Sequence, residues 1–116
     1  MPASFDHCLA ELSGVAAERL DDVDALAALI VSAASASGIS PGGLPLVRRG
    51  PQGSSVALVC LDGHLVMHAA PARGGCLVDI VVRSPGSAAR GLDVIARRLG
   101  VQLWSSAALG QPPELG

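Results

Sequence analysis

Five side chains carry most of the chemistry this chain can offer: Ser55, His64, His68, Asp79 and Arg83. A serine beside a histidine is the pairing from which an activated nucleophile is built. Two histidines four residues apart invite a metal instead. On a strand, though, four residues span about 13 Å, whereas one zinc ion needs both ring nitrogens about 2 Å from a single point. His64 and His68 therefore cannot chelate together, and no metal site is expected. Arg83 stays protonated throughout the physiological range and is a poor general acid. It can hold a carboxylate or phosphate, pair with an acid across an interface between chains, or stand solvated at a strand end. Gly42-Gly43 and Gly53 hint at a phosphate cradle, but the lysine and hydroxyl of such a loop are missing, which leaves a plain connecting loop.

The elements that position these residues are legible in outline. Val56–Leu61 and His64–Ala69 are β-prone runs separated by Asp62-Gly63, a strong signal for a two-residue hairpin turn with positive φ at both positions. In that register Leu61 faces His64 and Ala57 faces His68. Ser55, Ala57 and Val59 then share a face with His64, Val66 and His68, and Ser55 lies diagonal to His68 within hydrogen-bonding reach. Asp79, Val81 and Arg83 alternate on one face of a further strand, Cys76–Val82, which places Cys76 on the opposite face. A first strand is expected over His7–Leu12. Asp21 reads as the N-cap of a helix with Asp22 and Asp24 in its first turn, an apolar stripe of Val23, Leu26, Ile30, Ala33 and Ala34, and Gly38 as its left-handed stop. Residues 38–54 read as a long loop carrying Arg48 and Arg49. Gly74-Gly75 marks a turn. Ser84-Pro85 reads as the cap and first position of a second helix, with Ala88, Leu92, Ile95 and Leu99 inward and Gly100 at its end. Val101–Trp104 is the expected last strand, and residues 107–116 a disordered tail. The order β-α-β-β-β-α-β predicts an α+β fold. It is a two-layer α/β sandwich of mostly antiparallel strands with two helices on one sheet face, one domain over residues 1–106.

Composition narrows the function classes. The chain has 116 residues, half of them apolar, and a net charge of -2, so neither a nucleic-acid surface nor a membrane surface is expected. All eight basic residues are arginine, and the absence of lysine closes the internal Schiff base by which pyridoxal phosphate is held. Cys8, Cys60 and Cys76 show no C-x-x-C spacing and read as free thiols of a reducing cytoplasm. With no long apolar run and no basic-then-apolar leader, a soluble cytoplasmic protein is expected.

The stretch Asp62-Gly63-His64-Leu65-Val66-Met67-His68, followed by Pro71 and then Leu77-Val78-Asp79, resembles the processing region of bacterial S-adenosylmethionine decarboxylases. That family reads E-S-H-[LI]-x-I-H-T-W-P-E and then A-x-D-x-F-T-C-G. The resemblance runs over roughly residues 5 to 106, and it implies the same two-layer architecture. In the family the serine cleaves its own backbone and becomes the pyruvoyl group that serves as electron sink for decarboxylation. Here the matching position is Gly63, which has no side chain from which to form the ester or the pyruvoyl, so no cofactor is expected. Ser55 and His68 match the serine and histidine that assist self-cleavage. Arg83 stands where the family has its proton-donating cysteine, and Ala69-Ala70-Pro71-Ala72 stands for T-W-P-E, losing an aromatic and an acid. Phe5 and Trp104 are the chain's only aromatic residues other than histidine, so adenine stacking is poorly provided for.

These departures occur together, which argues for natural divergence over a single trapping substitution. The resemblance therefore implies a non-processing relative linked to polyamine (spermidine) biosynthesis, with Gly63, Ser55, His68 and Arg83 as a vestigial site. His64, His68, Asp79 and Arg83 are then candidates for holding a small molecule related to S-adenosylmethionine or to polyamines. The implied partner is a second copy, as a homodimer, or an active relative, as a heterodimer. Two alternatives remain at this level: an active or altered decarboxylase, which would need a carbonyl group from another source, and a dimeric scaffold with no small ligand.

Overall fold

Strands with one inward face and helices with one apolar stripe leave few ways to exclude water, and the chain adopts one of the simplest. The computed structural model describes residues 4–101 and 105–107. In chain order it has β1 (Phe5–Leu12), α1 (Ala17–Asp21), α2 (Val23–Ser37), β2 (Leu46–Gly50), β3 (Gly53–Cys60), β4 (Gly63–Ala70), a 3-10 turn (Pro71–Arg73), β5 (Gly75–Arg83), α3 (Ala88–Arg98) and β6 (Ser105–Ala107). The strands form one sheet in the order β2-β3-β4-β5-β1-β6, and every neighbouring pair is antiparallel. One face meets α2 and α3 through a continuous core whose fully buried members include Leu12, Leu26, Ile30, Leu58, Leu65, Met67, Ile80 and Ile95. The opposite face carries no helix among the described residues. The fold is the expected α+β sandwich, and no helix among the described residues is long and apolar enough to cross a membrane.

Local chemistry explains the boundaries. Asp22 caps α2, its carboxylate accepting from the Ala25 N–H at 3.1 Å. Asp21 belongs instead to the short α1, an element the sequence reading did not anticipate. Gly38 closes α2 at φ 91°, with its own N–H bonded to Ser35 and that of Ile39 to Ala34. The second long helix starts later than expected. Ser84-Pro85 is a cis peptide ahead of the helix, and the cap is Ser87, whose hydroxyl accepts from the Arg90 N–H at 3.3 Å. Asp6 adds a second acceptor there, taking the Ala88 N–H at 2.8 Å.

Three further differences concern the sheet. β2 occupies part of the expected 38–54 loop, making an edge strand that turns only Val47 toward the core. β1 begins at Phe5 rather than His7. Val101 is not in a strand: its N–H reaches back to the Ala96 carbonyl at 2.8 Å while Gly100 bonds Arg97, the paired signature of a Schellman close. Its apolar side chain, 6% exposed, therefore seals α3. The rest of the expected 101–104 strand lies outside the described residues, and the last described strand is β6, paired with β1. Ala107, expected at the head of the tail, is the last residue of β6, and 108–116 lie outside the described residues.

Candidate functional site

Every residue singled out for chemistry lies on the open face of the sheet or at its edge, and the β3–β4 hairpin sets the register. The turn is Leu61-Asp62, one residue earlier than expected, because Cys60 pairs with Gly63. The shift does not exchange the faces, since Ser55, Ala57 and Val59 still lie beside His64, Val66 and His68. It does bring Ser55 directly opposite His68 rather than diagonal to it, with Ser55 Oγ 2.7 Å from His68 Nδ1.

Gly63 is needed for a reason other than the turn. It is the first residue of β4, at φ 156°, pressed against β5 where it pairs with Val82. A methyl group built on it would overlap the Val81 carbonyl oxygen and lie 2.9 Å from Val82 Cα. The neighbouring strand thus fills the space in which a side chain at position 63 would stand.

Rows of side chains cross the open face. Arg48, Ser55, His68, Leu77 and Glu11 lie in one, Leu46, Ala57, Val66, Asp79 and Leu9 in the next, and Val59, His64, Val81 and His7 in a third. Arg83 and Phe5 end the face. The sequence-expected residues are therefore spread along the strands rather than gathered. From Gly63 to His68 is five residues of β4, about 17 Å, so within one chain the Ser55–His68 pair cannot act at Gly63.

Three of the four candidate ligand residues are already engaged, His68 through Ser55. Asp79 Oδ1 lies 2.6 Å from His7 Nε2, both side chains partly buried. Arg83 is held three ways: its N–H donates to the Asp62 carbonyl at 2.7 Å, its Nε donates to Asp62 Oδ1 at 3.2 Å, and its guanidinium sits 4.8 Å from the centre of the Phe5 ring. His64 stands between Val59 and Val81 with no side-chain partner among the described residues. His7 escaped the sequence reading. It stands there only as the start of the first strand, and the β1–β5 pairing, 72 residues apart, reveals its partner.

This arrangement limits the chemistry. Ser55 and His68 have the contact of a nucleophile and its base, yet no carboxylate among the described residues is hydrogen-bonded to His68 to orient it, and Asp79 is bound to His7. No thiol is primed either. Burial pushes Cys76, on the core face, up to about 12, and raises Cys60. Burial, followed by the charges of Asp6 and Asp79, raises Cys8.

The family model for S-adenosylmethionine decarboxylase matches residues 6–109. The chain belongs to the S-adenosylmethionine decarboxylase family. Relatives within it include the S-adenosylmethionine decarboxylase proenzyme of Geobacillus kaustophilus, 29% identical over 96 residues, spanning 83% of this chain and 77% of that one. The proenzyme of Caldanaerobacter subterraneus subsp. tengcongensis is 35% identical over 80 residues, 69% of this chain and 64% of its own length. The crystal structure of the adenosylmethionine decarboxylase from Aquifex aeolicus superposes with a TM-score of 0.80 at 21% identity, covering 100% of this chain and 98% of that one, and shares its fold.

Position 63 has no hydroxyl, and the place of its Cβ is taken by the Val81 carbonyl.

Proposed function

We propose that this family member remains one uncut chain without a pyruvoyl group and acts by binding, as a regulatory or pairing component linked to polyamine biosynthesis. The observation that carries this reading is Gly63, with neither a nucleophilic atom nor room for one. Arg83 supports it, since the residue in the proton donor's place is spent on holding the Asp62 backbone and carboxylate. The peptide bond between Asp62 and Gly63 thereby sits in a hydrogen-bonded hairpin end.

Pairing is supported by the open face. Phe5, Leu46 and Val59 are 52%, 56% and 64% exposed there, large apolar groups spread over three strands that a second sheet would cover. The polar groups among them are largely satisfied within the chain, as His7–Asp79 and Ser55–His68. The partner is a second copy or an active relative; the small molecules that fit this reading are S-adenosylmethionine-like or polyamine-like. Because Ser55–His68 and Gly63 are separated along β4, joint action of the two ends requires two chains.

Intact-mass measurement of the purified protein tests the reading. One species of full mass is expected, with no carbon dioxide released from S-adenosylmethionine. A fragment pair cut between Asp62 and Gly63, or sustained decarboxylation, would overturn it.

A further inference from the structure

We infer that the end of the open face remote from Gly63 is a binding site for a small zwitterion, a molecule bearing one ammonium and one carboxylate on a short apolar body. The inference deepens the binding role proposed above and rests on it. A cavity of about 480 Å³ opens there, lined by Glu11, Ser13, His68, Ala70, Arg73 and Leu77 among others, which is within the size range of small-molecule sites.

Its construction follows from the register. Leu77 of β5 forms the floor, opposed by His68 on one side and Glu11 on the other. Carboxylate and imidazole thus stand on strands about 10 Å apart, across an apolar residue. Arg73 comes from the 3-10 turn that joins β4 to β5. Neither Glu11 nor Arg73 has an ion-pair partner among the described residues. Opposite charges therefore line one cavity without neutralising each other. His68 gives Nδ1 to Ser55, which leaves Nε2 as the free ring nitrogen. Cys76, also in the lining, is buried and pushed up to about 12, so it adds no competing negative charge near neutrality.

Charge logic selects the ligand class. A simple carboxylate gains Arg73 but meets Glu11; a simple amine or a polyamine gains Glu11 but meets Arg73. A molecule carrying both charges satisfies both, its apolar body lying on Leu77 and Ala70. Free amino acids have this chemistry.

Calorimetric titration of the full chain with L-norleucine, hexanoate and pentylamine tests this, since the three share a body and differ in their charges. Saturable norleucine binding is expected, with each single-charge analogue weaker by about tenfold or more, the scale of one charge-assisted hydrogen bond. Glu11→Gln and Arg73→Gln, both at exposed positions, should each weaken norleucine by about tenfold. The His68 ring resonances should shift on binding. Equal affinity for pentylamine or hexanoate, indifference of norleucine binding to both substitutions, or no saturable heat up to roughly 10 mM ligand would each overturn the site. Full intact mass with no norleucine binding removes the zwitterion site and leaves the uncut-chain reading standing; a cleaved chain that binds norleucine does the reverse.

Discussion

At the scale of single residues, Gly63 and Cys76 make opposite kinds of prediction. Gly63 is glycine because β5 approaches its α-carbon, so restoring a serine adds atoms where the Val81 carbonyl already stands. Gly63→Ser is expected to lose about 1–3 kcal/mol of stability, the usual cost of overpacking, and to stay uncleaved; a melting curve and intact mass read both. A Gly63→Ser chain that melted as the parent does and split at position 63 would show that the strand yields easily. Cys76 speaks to pH. Its thiol is raised from 9.0 to about 12 by burial, so the unfolded chain ionises first. Below pH 9 the thiol is neutral in both states and has no effect on stability. Between 9 and about 12 the unfolded state alone loses its proton, and stability falls by roughly 1.4 kcal/mol per pH unit from this group. Denaturant melts of Cys76→Ala beside the parent should show a shallower alkaline decline in the variant, and native Cys76 should resist alkylation at pH 8 until the chain unfolds.

At the scale of elements, α2 and α3 approach closely at Gly91. Gly91 is buried against α2, where an added methyl would strike Ser37 Oγ and lie 3.0 Å from the Ala33 carbonyl. Ser37 is 1% exposed and its hydroxyl has no partner among the described residues. Gly91→Ala should therefore cost about 1–3 kcal/mol, while Ser37→Ala should be neutral or stabilising by up to about 1 kcal/mol. The double variant should recover part of the Gly91 loss, a non-additivity that a thermodynamic cycle measures directly. Elements of this kind differ in how plainly they show in a sequence. α2 was legible because its apolar stripe and terminal glycine agree, although its cap is Asp22 rather than the expected Asp21. The start of α3 was not, since Ser84-Pro85 imitates the cap that Ser87 provides. β2 was hidden because an edge strand with one inward residue shows no alternation. The hairpin turn was misplaced by one residue because the glycine answers to a neighbouring strand, a non-local demand that a dipeptide signal cannot express. Of the site, Ser55–His68 is a local pair within the hairpin and could be read, while His7–Asp79 depends on two strands 72 residues apart and could not.

At the scale of the whole molecule, the described helices cover one side of the sheet and leave its other face open, which the proposed pairing would cover. If the partner is another sheet, Val59→Asp, at a position 64% exposed, should shift the species seen in sedimentation toward monomer while leaving the monomer's own fold intact. A parent that sediments as a monomer at all concentrations would count against pairing with itself, and the search would turn to an active relative. The helical layer and core keep the fold shared with the family, while the positions at which the sequence differs from the family motif lie at both ends of β4, Gly63 at one and Ala70 at the other. The approach of β5 to Gly63 has a consequence for descent. Once a backbone has closed over the place of a lost side chain, the reverse substitution is no longer the mirror of the forward one. Returning to serine would need the strand to retreat first, a change with no benefit of its own until the second step arrives. On the reading proposed above the loss would work as a ratchet, and a lineage carrying this chain would be more readily led to new uses for the face than back to the old reaction.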